Sequence, residues 1–448
     1  MKQVDLLVLG AGPAGIAAAV TAADHGLTVT LVNEGEKLGG QVLVNKEPPD
    51  HSTHEGRAIL RGKELLQQLQ HLPVQIEDQT IAWGIEGRRV ALTSPEGSHE
   101  IAASMMIIAT GAREFVPPFT GWTLPGVMTL GGAQHLTSWY GILPGKSILI
   151  AGTGPLMWAL AATTLQHGGN LVEILDASRP ATWLRALPHL KSLWDRIGLG
   201  WHYLNEIRTH RVPYRWTRNV LRAYGTNELE RVTVGGRSFE VDTLCVGFGF
   251  RPNIELFQLA GCTLTFEPSL GGWIPAVDEN LCTDQDGIFA AGECAGVGGA
   301  EKALVEGELA AFSAITSLGQ RLSSRDQKRL NGLRKRRRSE LNFARVLNRA
   351  SQPAPDYLRE IEDDTCLCRC ENVRAAEIRT AIQHGSHTLG GLKNELRVGQ
   401  GMCQGRTCGP ILQSMLAFDQ QRLDDPPEPF HVRPPVKPVP LGQMERRA

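Results

Sequence analysis

Five of the nine cysteines lie between Cys366 and Cys408, and they are the residues in this chain best suited to binding a metal. Cys368 and Cys370 form a Cys-x-Cys pair, and Cys403 and Cys408 form a Cys-x4-Cys pair downstream. Structural zinc usually uses Cys-x2-4-Cys pairs and plant-type ferredoxins use Cys-x4-Cys-x2-Cys, so the spacing matches neither template. The pattern predicts a four-thiolate site for zinc or an iron-sulfur cluster, with Cys366 as a spare thiol.

Three glycines near the start of the chain predict a dinucleotide site. Gly10, Gly12 and Gly15 follow an apolar segment, residues 4–9, and precede a run of small residues. In such a turn the first glycine allows the tight bend, the second lets the backbone approach a pyrophosphate, and the third lets the helix pack on the strand. Glu34 follows a second apolar segment, 19 residues after Gly15, where a ribose-binding acid is expected. A dinucleotide site upstream favours an iron-sulfur cluster over zinc at the cysteines, because both would serve redox chemistry.

Two later strands are expected to end beside the same nucleotide. Residues 105–112 form a short apolar run of the kind found in a buried parallel strand, and residues 286–293 form another that ends in Glu293. Ligands of open α/β sheets bind at the carboxyl ends of strands. Glu293 is therefore predicted to hold a ribityl or ribose hydroxyl.

A second strand, turn and helix begins near residue 147 and resembles the first nucleotide-binding unit. Its turn contains Gly152 and Gly154, but Met157 replaces the third glycine, which weakens the prediction of an NAD(P) site. Asp176 follows the next strand and is either a ribose acid or a solvated turn residue. The sequence favours the turn residue.

Composition excludes some classes of partner and compartment. The chain has 448 residues, enough for two or three domains, and a net charge of −1, which gives no reason to expect nucleic acid. The basic run at 334–338 is typical of a solvated helix face, with docking to an acidic partner as the alternative. No signal peptide is evident at the start, and a glycine turn interrupts the most apolar stretch, residues 147–164, so no transmembrane segment is expected. Clustered thiolates suit a reducing compartment, and we expect the cytoplasm.

With these residues assembled, the chain resembles the FAD- and [2Fe-2S]-containing α-type flavoproteins of heteromeric amine and imino-acid dehydrogenases. That family includes polypeptides of opine oxidase and of hydrogen cyanide synthase, and the α subunits of hydroxyproline and proline dehydrogenases. The resemblance covers nearly the whole chain, and its most specific motifs are residues 39–41, 109–112, 121–128, 368–371 and 401–408. Asn33 departs from the acidic residue usual there, and Val42-Leu43 departs from the usual Ile-Tyr.

The resemblance implies an α/β fold of the glutathione-reductase-like, two-dinucleotide-domain type, with a small C-terminal domain similar to bacterioferritin-associated ferredoxin. The implied domains are an FAD-binding domain at 1–120 and 246–325, a second, NAD(P)-like dinucleotide domain at 121–245, a linker at 326–362, a [2Fe-2S] domain at 363–422, and a proline-rich tail at 423–448. Carried over by position, the FAD contacts are Gly10, Gly12, Pro13, Ala14, Gly15, Glu34, Gly40, Gln41, Thr110, Gly111, Gly292 and Glu293. The implied cluster ligands are Cys368, Cys370, Cys403 and Cys408.

The resemblance also implies partners. A flavoprotein β subunit, similar to amino-acid oxidases, would oxidise an opine, hydroxyproline, proline or glycine, and the α subunit would move the electrons onward. FMN at the interface with that subunit and a small ferredoxin-like γ subunit are further components that the resemblance allows.

The sequence itself favours electron transfer over bond-breaking chemistry. No Cys-x2-Cys or Cys-x4-Cys pair precedes residue 366, so disulfide reduction is not expected, and no nucleophile or acid-base pair stands out as catalytic. Cys245, Cys262, Cys282 and Cys294 are scattered and are interpreted as core or structural thiols. Two rival hypotheses remain at this stage: a self-sufficient NAD(P)H-dependent reductase, and a scaffold with a degenerate nucleotide domain and structural zinc.

Overall fold

The computed structural model describes residues 2–43, 56–178, 194–351 and 355–444. Its helices are α1 (Pro13–Asp24), α2 (Gly40–Leu43), α3 (Arg57–Leu69), α4 (Leu130–Tyr140), α5 (Leu156–Gln166), α6 (Trp194–Thr209), α7 (Glu255–Leu259), α8 (Ala300–Ser317), α9 (Ser324–Ser351), α10 (Ala375–Gln383), α11 (Leu389–Leu396) and α12 (Cys408–Asp419). No helix in the described part of the chain is long and apolar enough to cross a membrane.

The strands are β1 (Lys2–Leu9), β2 (Val29–Val32), β3 (Val74–Glu77), β4 (Ile81–Glu86), β5 (Arg89–Ser94), β6 (Gly97–Ile108), β7 (Ala112–Glu114), β8 (Val127–Thr129), β9 (Ile148–Gly152), β10 (Leu171–Asp176), β11 (Tyr214–Trp216), β12 (Leu221–Tyr224), β13 (Arg231–Val234), β14 (Arg237–Glu240), β15 (Thr243–Gly247), β16 (Phe250–Pro252), β17 (Leu264–Glu267), β18 (Gly272–Pro275), β19 (Ile288–Ala290), β20 (Cys366–Cys368) and β21 (Val373–Arg374).

The chain forms two compact units. The first unit comprises Met1–Arg113, Arg251–Val346 and His431–Ala448, and the second comprises Glu114–Phe250 and Leu347–Phe430. In the first, the sheet has the order β3-β2-β1-β6-β5-β4, and β19 also pairs with β6. The pairs β2–β3, β1–β2, β1–β6 and β6–β19 are parallel, so these strands end at one edge of the sheet.

Small residues let α1 and α8 approach each other closely in the first unit. A Cβ added at Gly307 would lie 2.0 Å from the carbonyl oxygen of Ala14, so only glycine fits at that crossing. The alanine-rich α1 is buried along nearly its whole length, within an apolar cluster that also contains Leu6 and Phe312. Close packing of this kind fixes the start of α1 over the sheet edge.

The second unit contains another parallel sheet and the cysteine-rich region. Its five-stranded sheet has the order β11-β10-β9-β15-β8, and the antiparallel strands β12, β13 and β14 form a separate sheet. The cysteine-rich region consists of β20, β21, α10, α11 and α12 around its own apolar cluster, which includes Leu367, Ile378 and Leu412. Phe115 and Phe248 from the dinucleotide part of this unit pack in the same cluster.

These features confirm the predicted α/β architecture, in which two sheets each carry a strand, glycine turn and helix; the first sheet is mixed, because β4, β5 and β6 pair antiparallel, and the second is parallel. The compact units divide the chain differently from the expected domains, whose bounds stay a prediction. Residues 121–245 and the cysteine-rich region fall in one unit, in which the flanking Phe115 and Phe248 pack with the apolar cluster of the cysteine-rich region. Much of the expected linker, 326–362, forms α9, whose Leu330 and Leu333 are buried in the first unit.

Candidate functional site

The turn between β1 and α1 is built so that only its middle glycine faces open space. A Cβ at Gly10, where φ is +110°, would lie 2.4 Å from the carbonyl oxygen of Ala109, and one at Gly15 would lie 1.8 Å from that of Gly10. A Cβ at Gly12 would meet no atom within 4 Å. Gly12 is also the N-cap of α1, and no side chain caps the free amides of the first helical turn. The arrangement leaves room and hydrogen-bond donors for an anion at Gly12.

The segment that contains Gly40 and Gln41 lies against this turn. The amide of Gly39 donates to the carbonyl oxygen of Ala11 at 2.8 Å. A Cβ at Gly40, where φ is +59°, would lie 2.9 Å from Cα of Gly12. The side chain of Gln41 is exposed. Gly40 therefore lies directly against Gly12, as it must if both residues contact the same nucleotide.

Glu34 follows β2 at the same sheet edge, and its carboxylate contacts Nζ of Lys437 from the C-terminal tail. Asn33, the departure from the family pattern, is buried, and its amide donates to the Gly35 carbonyl oxygen at 2.7 Å and to Oδ1 of Asp78 at 3.0 Å. Asn33 therefore holds the loop after β2 in place, and Glu34 is the acid that faces outward. Lys437 was missed by sequence reasoning, since 403 residues separate the two.

Thr110 and Gly111 follow β6 and are held by a residue that the sequence did not identify. The side-chain amide of Asn253 donates to the Thr110 carbonyl oxygen at 2.8 Å, and the Asn253 backbone amide donates to the Gly111 carbonyl oxygen at 3.0 Å. Arg113 donates to Oδ1 of Asn253 at 3.0 Å and to Glu255 at 2.7 Å. This clamp fixes the returning strand at the end where the Gly10 turn lies.

Gly292 and Glu293 follow β19, and Gly292 lies against the start of α1. A Cβ at Gly292, where φ is +82°, would lie 2.8 Å from Cβ of Ala14. Oε1 of Glu293 accepts hydrogen bonds from the amides of Gly298 at 2.9 Å and Gly299 at 2.5 Å. Burial raises the pKa of the Glu293 carboxyl group above its ordinary value, and these hydrogen bonds act in the opposite direction.

A buried ion pair fixes the backbone of Gly292 from both sides. Lys302 and Glu306 on α8 are both 0% exposed, and Nζ lies 2.6 Å from Oε2. Nζ of Lys302 donates to the Gly292 carbonyl oxygen at 2.9 Å, and the Gly292 amide donates to Oε2 of Glu306 at 3.0 Å. Nε of Arg337 donates to the other oxygen of Glu306 at 3.0 Å. A lysine and a glutamate four residues apart in a helix rich in alanine and leucine were the sequence signal for this pair.

Arg337 belongs to the basic run, whose arginines bind groups of the same unit. Arg336 pairs with Glu301 at 2.5 Å, Arg338 with Glu279 at 3.3 Å, and Arg334 donates to Oδ1 of Asn280. These contacts favour the interpretation of the run as a helix face rather than a docking surface.

The second glycine turn is tightly packed where the first is open. A Cβ at Gly152 would lie 1.9 Å from the Gly247 carbonyl oxygen, and Met157, in the first turn of α5, is fully buried. Oγ1 of Thr153 donates to the carbonyl oxygen of Ser351 at 2.6 Å, and a Cβ at Gly154 would lie 3.3 Å from Oγ of Ser351. The last residue of α9 therefore covers the face of the turn that a pyrophosphate would use.

Asp176, the candidate ribose acid of this second site, has protein partners for both carboxylate oxygens. It is 1% exposed. Oδ1 accepts a hydrogen bond from the Ser178 amide at 2.8 Å, and Oδ2 accepts one from the Tyr214 hydroxyl at 2.5 Å. Nε1 of Trp158 donates to the same hydroxyl at 2.9 Å. Burial, followed by the Asp176 charge, raises the pKa of Tyr214, so the phenol stays protonated and remains a donor.

Cys368, Cys370, Cys403 and Cys408 come together and are hereafter the thiol cluster. Cys408 hydrogen-bonds to both Cys368 and Cys403, and Cys403 also hydrogen-bonds to Cys370. The hydrogen bonds from Cys408 lower the pKa of Cys368 to about 6 and that of Cys403 to about 4, and the same hydrogen bonds raise the pKa of Cys408, which is the donor. Gly401 leaves the space for this, because a Cβ there would lie 2.2 Å from Cβ of Cys370.

The sulfur contacts of the thiol cluster form a chain that runs from Cys368 through Cys408 and Cys403 to Cys370. In the described residues, no group of three or more His, Cys, Asp or Glu side chains is arranged to hold a single metal ion. A [2Fe-2S] cluster has two irons, each bound by two ligands, so thiols that follow one another along a chain of contacts suit it better than a single zinc. Cys366 takes no part in these sulfur contacts; its carbonyl oxygen accepts a hydrogen bond from Nε1 of Trp122 at 2.7 Å, and burial raises the pKa of its thiol.

The remaining cysteines are unreactive thiols that form no disulfide. Burial raises the pKa of Cys245 to about 12, and those of Cys262, Cys282 and Cys294 to about 11. Thiols with such pKa values carry little thiolate at neutral pH and are poor nucleophiles.

An open dinucleotide turn on one parallel sheet, a second such fold, and a four-thiol cluster define a two-cofactor redox protein. Residues 4–310 match the pyridine nucleotide-disulphide oxidoreductase family, and residues 366–417 match the BFD-like [2Fe-2S] binding domain. The chain belongs to the pyridine nucleotide-disulphide oxidoreductase family and is a flavin-dependent oxidoreductase, and these matches indicate FAD and a [2Fe-2S] cluster as its cofactors.

Within that family, the chain is homologous over its full length to subunits of heteromeric enzymes, which confirms the resemblance inferred from the motifs. It is 32% identical to an opine oxidase subunit of Rhizobium meliloti, over 99% of each chain. It is 30% identical to the hydrogen cyanide synthase subunit HcnB of Pseudomonas aeruginosa, over 98% of each chain. L-proline dehydrogenase from P. horikoshii shares the fold, with a TM-score of 0.71, 22% identity, and coverage of 99% of this chain and 80% of that one.

Proposed function

We propose that this chain is the electron-transferring subunit of a heteromeric dehydrogenase that oxidises an amine or imino acid in a partner β subunit. The observation that carries the proposal is the presence, in one chain, of an open dinucleotide turn at Gly12 and a separate cluster of four thiols. FAD accepts electrons in pairs and releases them singly, and a [2Fe-2S] cluster carries one at a time. A chain with both sites is therefore equipped to pass electrons from a two-electron oxidation to a one-electron acceptor.

The residues at the first turn fit FAD. The pyrophosphate would bind at the amides of Gly12, Ala14 and Gly15 at the start of α1, where the intervening Pro13 has no amide to offer. Gly10 and Gly40 give the backbone its close contacts, and Glu34 supplies a carboxylate for the adenosine ribose. We assign the flavin half to Gln41, Thr110-Gly111 and Gly292-Glu293.

The residues of the thiol cluster fit a [2Fe-2S] centre. All four are assigned as ligands, because their sulfurs come together in one connected set of contacts. Cys366 is assigned no ligand role. Thiolate ligands persist in a reducing compartment, which supports a cytoplasmic location.

The second dinucleotide fold argues against the rival function, an NAD(P)H-dependent reductase. Ser351 covers the turn at Gly154, and Asp176 is buried with both oxygens bound. A nicotinamide dinucleotide would have to displace Ser351 and break the Tyr214 hydrogen bond before its ribose could reach the carboxylate. We therefore assign the source of electrons to the β subunit.

The proposal includes an amino-acid-oxidase-like β subunit as the site of substrate oxidation, with FMN at its interface and a small ferredoxin-like γ subunit as further components. It is supported by relatives named as subunits of opine oxidase and of hydrogen cyanide synthase. Opines, hydroxyproline, proline and glycine are the substrates to test.

The test is affinity purification of the chain from its native cells, followed by assays of the complex and of the lone chain with an artificial acceptor. Secondary amines and glycine serve as the substrate panel. We expect the complex to oxidise one class of substrate, and the lone chain to contain flavin and iron but to oxidise none. Robust turnover by the lone chain would contradict the proposal, and so would zinc in place of iron without flavin absorbance.

A further inference from the structure

The C-terminal tail of the first unit is anchored on the sheet that carries the nucleotide turn. Val436 is 2% exposed and belongs to the apolar cluster that contains Leu9 and Val32, the last residues of β1 and β2. Its amide donates to the Trp83 carbonyl oxygen at 2.8 Å. Ser98 on β6 bonds the carbonyl oxygen of Gln443 further along the tail. Burial and backbone hydrogen bonding therefore hold residues around 436 in one position.

The residue after this anchor reaches the proposed ribose carboxylate. Nζ of Lys437 contacts Oε2 of Glu34, with the side chains 37% and 56% exposed. An ion pair this exposed contributes little to the stability of the fold. The position of this ion pair is more informative than its strength. Val436 fixes the lysine, and the carboxylate lies where β2 ends, beside the Gly10 turn.

We propose that Lys437 is a positioning residue for the nucleotide, so that the tail completes the ribose end of the FAD site. This inference rests on the proposed assignment of FAD to the Gly12 turn. An exposed glutamate has several rotamers, and ordering it on ligand binding costs free energy. Lys437 holds Glu34 through Oε2 before the nucleotide arrives, which leaves Oε1 to accept from a ribose hydroxyl. Preorganisation of this kind raises affinity without a direct contact between the lysine and the ligand.

The position also suits the charge of the ligand. Glu34 alone would repel the pyrophosphate of an approaching dinucleotide, and an ammonium group bound to it offsets that charge. Lys437 could therefore raise affinity in two ways, by orienting Glu34 toward the ribose or by offsetting its negative charge. The two effects can be measured separately, because only the orienting effect requires the ribose hydroxyls.

The experiment measures dissociation constants of flavin-free, full-length protein for FAD and ADP, by flavin fluorescence and calorimetry. Lys437→Ala is expected to weaken both by about three- to tenfold, and Lys437→Arg to restore most of the loss. Arg433→Ala, at an exposed position of the same tail, is the matched control and should bind as the unmodified protein does. The unfolding temperature should stay unchanged in all three.

A ligand lacking one hydroxyl tests the route of the effect. With 2′-deoxy-ADP, the difference between Lys437→Ala and the unmodified protein should shrink to less than about twofold. In a Glu34→Gln background, Lys437→Ala should have no further effect on ADP binding. Equal FAD affinity in Lys437→Ala and the unmodified protein would overturn the inference. Tighter binding would also overturn it, since Lys437 would then compete with the ribose. If the unmodified protein bound neither FAD nor ADP, the proposed function itself would fall.

Discussion

Replacing Gly12 by valine separates the flavin site from the fold. A Cβ at this position would meet no protein atom within 4 Å, and the backbone, at φ −79° and ψ −174°, has the extended conformation that valine prefers. The free energy of unfolding should therefore change by no more than about 0.5 kcal/mol, as at an ordinary surface position. The same open space is where we place the pyrophosphate, so the new methyl groups would keep it from the amides of α1.

The expected loss of affinity follows from the hydrogen bonds removed. Each hydrogen bond to a charged group contributes about 1.5–3 kcal/mol, so losing two costs about 3–6 kcal/mol. That range corresponds to a weakening of FAD binding by about 10² to 10⁴-fold. Gly12→Val should thus purify folded and without flavin, as measured by the ratio of visible flavin absorbance to protein and by thermal unfolding.

Two matched variants complete the comparison. Gly15→Ala adds a single Cβ at 1.8 Å from the Gly10 carbonyl oxygen, so the backbone must shift and the unfolding temperature should fall along with flavin content. Gly332→Ala, on the exposed part of α9 with nothing within 4 Å, should keep the full flavin content and should not lower the unfolding temperature, because alanine favours a helix more than glycine does. Full flavin occupancy in Gly12→Val would refute the placement of the pyrophosphate, and unfolding of Gly12→Val would refute the claim that the space is open.

Three further perturbations test the rest of the assignment. Single serine substitutions in the thiol cluster should each remove or disrupt the iron centre, whereas Cys366→Ser should retain its iron content and visible spectrum. Loss of iron in Cys366→Ser together with its retention in Cys370→Ser would show that Cys366, and not Cys370, is a ligand. Anaerobic mixing of the isolated chain with NADH or NADPH should leave the flavin oxidised, because Ser351 covers the second turn, and rapid bleaching would contradict this. Glu306→Leu should lower the free energy of unfolding by about 3–5 kcal/mol, because it leaves the buried Lys302 without its ion-pair partner, and adding Lys302→Met should recover part of that loss. Chemical denaturation measures both, and a double variant less stable than Glu306→Leu alone would disprove the pairing.

The parts of the site that could be predicted from sequence are those determined by residues close together in the chain. The strand, glycine turn and helix around Gly12 are a local pattern, because Gly10, Gly12 and Gly15 lie within six residues of one another and the turn connects directly to β1 and α1. The convergence of the thiol cluster was also predictable, since two close pairs of cysteines flank a short segment of helices.

The parts that could not be predicted depend on long-range contacts. Asn253 binds the strand end at Thr110 from 143 residues away, and Lys437 reaches Glu34 across 403. Neither residue lies in a pattern that marks it, and only the folded chain brings each to its partner. The expected linker is a similar case. Its polar, arginine-rich sequence is typical of a solvated helix face, but Arg337 donates a hydrogen bond to the buried Glu306.

The two glycine turns show why a motif by itself does not define a nucleotide site. Both have a strand, a turn and a helix, and both glycines at the bend, Gly10 and Gly152, are forced by a carbonyl oxygen closer than 2.5 Å to a Cβ. They differ in what lies over the next glycine, which is nothing within 4 Å at Gly12 and the hydroxyl of Ser351 at Gly154. A phosphate binds to the amides of such a turn only if it can approach them. Ser351, from the end of α9, therefore hinders phosphate binding at the second turn more than the replacement of the third glycine by Met157 does. The same sequence pattern therefore supports a cofactor site in the first unit and a packed structural element in the second.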